Sequence, residues 1–208
     1  SLIMQNISIF CIIREKIVRE TLKILETAKK IAYIDVLACF AEVAEKYDYC
    51  RPKINNEGKI VIKEGRHPVV EQLRLSEKFI PNDCYLDTDN EQILMITGPN
   101  MAGKSTYLRQ IALICIIAQM GCFVPAKSAT IGVIDQIFTR IGASDDLARK
   151  LSTFMIEMTE TAKILNFVTK KSLVIIDELG RGTSTSDGQS IALATLEKLH
   201  ELKAKTLL

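Results

Sequence analysis

An α/β fold, with a mostly parallel sheet flanked by helices and a long helical segment in front, is predicted by three features of the sequence. The first is Gly98-Pro99-Asn100-Met101-Ala102-Gly103-Lys104-Ser105-Thr106, which fits the phosphate-binding pattern G-x-x-x-x-G-K-[ST]. It lies between a short β-prone run, Ile93 to Thr97, and an apolar helical run, Tyr107 to Met120. The second is Leu173-Val174-Ile175-Ile176, a continuous apolar run of the kind buried on both faces of a parallel sheet, followed by Asp177 and Glu178. The third is the spacing of Phe10, Ile13, Ile17, Thr21, Ile24, Ala28 and Ile31, three or four apart with charged residues between them.

Composition sets the outer bounds. The 208 residues suffice for one large domain, or for one domain and part of another. With 48% apolar residues the chain can bury a core. A formal net charge of +2 offers no argument for a nucleic-acid or membrane surface. The six cysteines form no C-x-x-C pair and sit partly in apolar runs, so they are expected to be free thiols in a reducing compartment rather than zinc ligands. Ser1 to Ile13 lacks the basic start and the cleavage site of a secretory signal. Ile111 to Val124 is too short for a bilayer span. A soluble, intracellular chain is expected.

Taken in order, Phe10 to Lys46 is expected to be one long helix, since neither Pro nor Gly interrupts it. Tyr47 to Asn56 is turn-rich, and the domain boundary is placed there, giving residues 1–46 and 47–208. Lys59 to Lys63 alternates as a strand. His67, before Pro68, reads as a structural turn residue rather than a ligand. Phe79 to Asp83 reads as a loop. After the loop helix, Ser128 to Ile131 and Ile134 to Ile141 read as strands, and Gly142 to Leu151 as a charged loop. Ser152 or Thr153 caps a helix that runs to about Thr169. Gly180 to Gly188 reads as a loop, Ser190 to Leu202 as a helix, and Thr206 to Leu208 as a strand.

The chemistry follows from the loop and the carboxylates. Glycines let backbone N–H groups close around phosphate oxygens at a helix N-terminus, whose dipole favours their charge. Lys104 then reaches the β and γ phosphates, and the Ser105 hydroxyl ligates Mg²⁺. At the end of a buried strand, Asp177 can hold the Mg²⁺ shell, and Glu178 can deprotonate an attacking water.

At these residues the sequence resembles the MutS family of DNA mismatch repair proteins. The stretches that carry the likeness are Thr97 to Thr106, Gly142-Ala143-Ser144-Asp145-Asp146-Leu147, Ser152-Thr153-Phe154-Met155-Ile156-Glu157-Met158-Thr159-Glu160-Thr161, and Asp177-Glu178-Leu179-Gly180-Arg181-Gly182-Thr183-Ser184-Thr185. Upstream, Asp35-Val36-Leu37-Ala38, Arg51-Pro52 and Gly65-Arg66-His67-Pro68 also fit. The resemblance implies a P-loop NTPase domain of the ABC-ATPase type that hydrolyses ATP to ADP and works as a dimer, homologous or with a paralogue. It implies that Ser152 and Thr153 face the γ-phosphate held by the partner, that Asn100 hydrogen-bonds near the γ-phosphate, and that Phe79 and Ile80 pack on the adenine. Core packing remains a rival reading for Phe79, and a structural loop role for Arg181. Phe10 to Lys46 looks like the base of a lever leading to a distant clamp on mismatched double-stranded DNA. A MutL-type repair protein is the downstream partner implied, and no membrane is.

Two departures stand out. Arg149-Lys150-Leu151 replaces the small or Gly-containing residues usual before Ser152. The family also continues past the position of Leu208 into a strand with a histidine and a dimerising tail, and it carries mismatch-reading domains upstream, so a fragment, mainly monomeric, is expected. Localisation is expected to be cytoplasmic and nucleoid-associated in a bacterium, or nuclear in a eukaryote. Two alternatives stay open: a MutS paralogue serving recombination, and a nucleotide-gated assembly module that hydrolyses little.

Overall fold

A computed structural model describes residues 2–73, 79–99, 101–141, 153–180 and 182–208. The chain divides into two compact units, the first ending at Lys46 and the second spanning Tyr47–Leu208. The first unit is a single helix, α1 (Leu2–Lys46). It begins earlier than the periodicity indicates, because Ile3, Met4 and Ile7 continue the same helix-compatible, Gly- and Pro-free run. Lys23 pairs with Glu20 at 2.7 Å and Lys30 with Glu26 at 2.8 Å, neighbours one turn apart on the helix surface.

The second unit contains two sheets. β1 (Lys53–Asn55), β2 (Ile60–Gly65), β3 (Asn82–Leu86) and β5 (Ser128–Gly132) form one, in the order β1-β5-β2-β3. Here β1 runs parallel to β5, while β2 is antiparallel to both β3 and β5. β4 (Ile93–Leu94), β6 (Ile137–Ile141), β7 (Leu173–Asp177) and β8 (Lys205–Leu207) form the other, parallel throughout, in the order β4-β8-β7-β6.

This corrects the expected fold class. An ABC-type P-loop domain with one mostly parallel sheet is replaced by two four-stranded sheets, one of them mixed. The physical reason lies in the strands themselves. β7 is buried at four successive positions, as a strand covered on both faces must be, whereas β2 mixes buried and exposed positions, as antiparallel strands open on one face do.

α3 (Lys104–Gln119) packs against both sheets. Its Leu108, Ile111, Ile114 and Cys115 share one core with Ile60 and Ile62 of β2, Leu86 of β3, Ile131 of β5, Leu173 and Ile175 of β7, and Leu207 of β8. The alternate β7 residues, Val174 and Ile176, join a second core with Ile164 of α4 (Thr153–Phe167) and Leu199 of α5 (Thr185–Glu201). Successive side chains of a strand point to opposite faces, so the unbroken apolar run of β7 serves two cores at once.

Four elements differ from the sequence reading. β1 lies inside a stretch that reads as turns, and β3 begins inside one that reads as a loop. The short α2 (Val70–Leu73) has no clear signal of its own. α5 starts five residues early, because the Ser184 side chain accepts the Asp187 N–H and thereby caps the helix, which carries Gly188 in its first turn.

Candidate functional site

The site is built where β4 hands the chain to α3. After Leu94 the chain stays beside β8: Ile96 donates to the Leu208 carbonyl at 2.7 Å, and Leu208 to the Leu94 carbonyl at 3.0 Å. The loop then turns, with the Ala102 N–H bonded to the Pro99 carbonyl at 3.3 Å. Gly103 is the N-cap of α3 and sits in the left-handed region at φ 92°, with no side-chain cap. Only glycine takes that conformation without cost. The first-turn N–H groups of Lys104, Ser105 and Thr106 consequently lack intrahelical acceptors, and they mark the positive end of the helix dipole. The Lys104 ammonium folds back over the loop, donating to the carbonyls of Gly98 at 2.5 Å and Pro99 at 3.2 Å.

Two cavities meet at this lysine. The larger, about 860 Å³, is lined by Thr97, Met101, Ala102, Gly103, Lys104 and Thr106 of the loop, together with Phe79, Ile80, Tyr107 and Gln110. The smaller, about 180 Å³, is lined by Lys104, Thr97, Asp177 and Glu178 among others. The tertiary structure therefore brings Phe79 and Ile80 to the loop on one side, and Asp177 and Glu178 to it on the other. Ser105 lies in the first turn of α3 and lines neither cavity. Thr153 opens α4. Asn100, Ser152, Arg181 and the Arg149-Lys150-Leu151 departure lie outside the described residues.

Asp177 is the last residue of β7, and Glu178 follows at φ 70°, a left-handed conformation costly for a residue with a side chain. The chain turns sharply there, and Gly180 holds the turn against α5. A Cβ on Gly180 would fall 2.5 Å from the Gly188 carbonyl oxygen, so the two backbones approach as closely as glycine permits.

Sequence reasoning misses the groups that brace this turn. Glu157 of α4 is buried, and its carboxylate accepts the Gly180 N–H. The same carboxylate lies 3.9 Å from the buried Arg140 of β6, whose Nε is 3.0 Å from Glu160. A carboxylate among Phe154, Met155 and Met158 is the available signal, since a charge in a helix this apolar calls for a buried partner. His67 is likewise structural: its Nδ1 accepts the N–H groups of Val69 and Val70, each at 3.2 Å.

The donor set suits Mg²⁺, a hard cation that takes one or two carboxylates and completes its shell with phosphate oxygens and water. Asp177 and Ser105 are both hard oxygen donors. Among the described residues no group of three or more His, Cys, Asp or Glu could hold an ion by itself.

A lysine-bearing helix N-terminus beside a strand-end Asp-Glu pair defines the class of site, and comparison with known proteins supplies the family. Residues 94–208 match the family model MutS domain V. The chain belongs to the MutS family. That description takes the place of the ABC-type class expected from the sequence. The chain is 57% identical over 96% of its length to the DNA mismatch repair protein MutS of Acetivibrio thermocellus, covering 23% of that protein. It is 59% identical over 94% of its length to the MutS of Caldanaerobacter subterraneus subsp. tengcongensis, covering 22% of it. The chain thus spans under a quarter of the length of these curated relatives. Among the described residues no helix is long and apolar enough to cross a membrane.

Proposed function

We propose that the Tyr47–Leu208 unit binds ATP and hydrolyses it to ADP and phosphate, as the nucleotide-responsive part of a mismatch repair protein. The carrying observation is that Lys104 lines both cavities, with Phe79 and Ile80 around the larger and Asp177 and Glu178 around the smaller. An elongated nucleotide fits that arrangement. Its base rests near Phe79 and Ile80, and its phosphates meet the loop from Gly98 through Pro99, Asn100, Met101, Ala102 and Gly103 to Thr106.

Lys104 exchanges its two loop carbonyls for phosphate oxygens, a charge-assisted contact stronger than the one it gives up. Glu178 takes the proton of the attacking water, the general-base role. Ser105 and Asp177 would hold Mg²⁺, which supplies positive charge to the phosphoryl oxygens as the bond breaks. Thr153, which opens α4, and Ser152 before it in the sequence face a nucleotide held by a second subunit. α1 forms the end of a lever domain, through which the nucleotide state alters binding to mismatched DNA and signalling to a MutL-type partner. The relatives' description as mismatch repair proteins supports this part of the reading.

Single-turnover hydrolysis tests the proposal. Wild-type chain is expected to convert bound ATP to ADP, and Glu178→Gln to bind ATP while losing at least about a hundredfold in rate. Equal rates in the two proteins would defeat the hydrolase assignment.

A further inference from the structure

We propose that Glu157 is a positioning residue for hydrolysis, one that sets the turn carrying Glu178 and so aims the general base; this rests on the assignment of Glu178 as that base. Glu157 is buried on α4 and lines neither of the two cavities, so it acts through another group. That group is the Gly180 N–H, two residues beyond Glu178, which donates to the Glu157 carboxylate.

The turn needs such a tie. Glu178 sits at φ 70° and Gly180 at φ 84°, both in the left-handed region. A residue with a side chain stays there only where its surroundings hold it. Packing supplies part of the hold. A Cβ on Gly180 would fall 2.5 Å from the Gly188 carbonyl oxygen of α5, and one on Gly182 would fall 2.7 Å from the Phe154 Cα of α4. Contacts of this kind limit how near the backbones come, but they have no preferred direction. A hydrogen bond to a carboxylate does, and this one fixes the plane of the Leu179–Gly180 peptide, the second beyond the Glu178 Cα.

The anchor is itself rooted in the sheet. The Glu157 carboxylate lies 3.9 Å from the guanidinium of buried Arg140 on β6. In the ladder Arg140 is opposite Ile176 and Ile141 opposite Asp177, so β6 runs beside the last residues of β7. The result is a closed ring, from β7 through Glu178 to Gly180, across to Glu157, on to Arg140 and back to β7. A catalytic group must be held within about 0.5 Å of its productive place. Misplacement by about 1 Å can cost about a hundredfold in rate.

The test is a double-mutant cycle with a rescue. ATP binding and single-turnover hydrolysis are measured with Mg²⁺ for wild type, Glu157→Leu, Glu157→Gln, Glu178→Gln and the double variant Glu157→Leu/Glu178→Gln. Glu157→Leu is expected to keep its ATP Kd within about twofold and to lose about thirtyfold in rate. Glu157→Gln, which keeps an acceptor for Gly180, is expected to recover all but about threefold of that loss. In the Glu178→Gln background Glu157→Leu should change the rate by less than about twofold, because no base is left to aim. The proposal is overturned by an unchanged rate in Glu157→Leu, by equal losses in both backgrounds, by a Kd that weakens as much as the rate falls, or by no rescue in Glu157→Gln. Each of these leaves the base assignment standing. Glu178→Gln as fast as wild type, or wild type without hydrolysis, would remove that assignment and the proposal together. If Glu157→Leu does not fold, Glu157→Asp takes its place in the cycle. It keeps the charge beside Arg140 but is one methylene short of Gly180, and it is expected to lose about tenfold in rate with Glu178 present and nothing with Glu178→Gln. Glu157→Asp as fast as wild type overturns the proposal.

Discussion

The Glu157 carboxylate accepts the backbone N–H of Gly180, tying the buried face of α4 to the turn that follows Asp177 and Glu178. The same side chain lies 3.9 Å from the guanidinium of Arg140, on the strand next to β7. One buried carboxylate thus holds a helix, a strand and a site turn in register.

Removing that carboxylate should cost stability in two grades. Glu157→Leu strips Gly180 of its acceptor and leaves buried Arg140, among the described residues, with Glu160 alone, so a loss of about 3–5 kcal/mol is expected. Glu157→Gln keeps an acceptor for Gly180 and should cost clearly less. Urea unfolding of the two variants checks this, and equal losses would show that the Gly180 bond contributes nothing.

Two glycines of the site share a left-handed backbone but not their surroundings. At Gly103, with φ 92°, a Cβ would meet nothing within 4 Å, whereas at Gly180, with φ 84°, it would fall 2.5 Å from the Gly188 oxygen. Gly103→Ala should cost about 1–2 kcal/mol, the backbone strain alone. Gly180→Ala adds a backbone collision and should cost a further 1–3 kcal/mol or so. Denaturation midpoints in the reverse order would contradict the packing at Gly188.

Lys104→Ala should separate function from fold. Among the described residues its ammonium bonds only two exposed loop carbonyls, so unfolding free energy is expected to stay within about 0.5 kcal/mol of wild type. ATP binding or turnover should be lost. Normal turnover in this variant would refute the placement of the phosphates.

His67 should make stability pH-dependent. Burial holds its pKa below the ordinary histidine value, and Nδ1 must stay unprotonated to accept from Val69 and Val70. The unfolded chain therefore binds the proton more readily, and stability rises with pH between the folded and unfolded pKa values. The contribution is complete above about pH 6.5 and declines as pH falls below it. His67→Gln should show a shallower fall in urea midpoint between about pH 7.5 and about pH 5.0. An identical slope would remove His67 as the source.

How far the residues alone reach is clearest in the loop and in the strands around it. Gly98 to Thr106, Asp177 and Glu178 are legible because each depends on a local pattern: a glycine spacing, a helix start, an apolar run that ends in carboxylates. β1 and β3 are not legible. Three-residue β1 exists because Lys53, Ile54 and Asn55 align with Thr130, Ile131 and Gly132, far along the chain. β3 likewise takes its register from β2. Pairing partners of that kind leave no mark on short segments. Glu157 passes unremarked in an apolar helix, because only the packed structure shows what faces it.

By itself the sequence determined the family likeness, the long opening helix, the phosphate-type loop and the two carboxylates expected beside it. These follow from local periodicity and from motifs whose geometry is carried by adjacent residues. The division of the strands into a parallel and a mixed sheet was decided only by the tertiary structure. So were the convergence of Phe79, Lys104 and Glu178 on two joined cavities, and the bracing of the site turn by Glu157. Those features depend on contacts between residues distant in the chain, which form only when α3 is buried between the sheets.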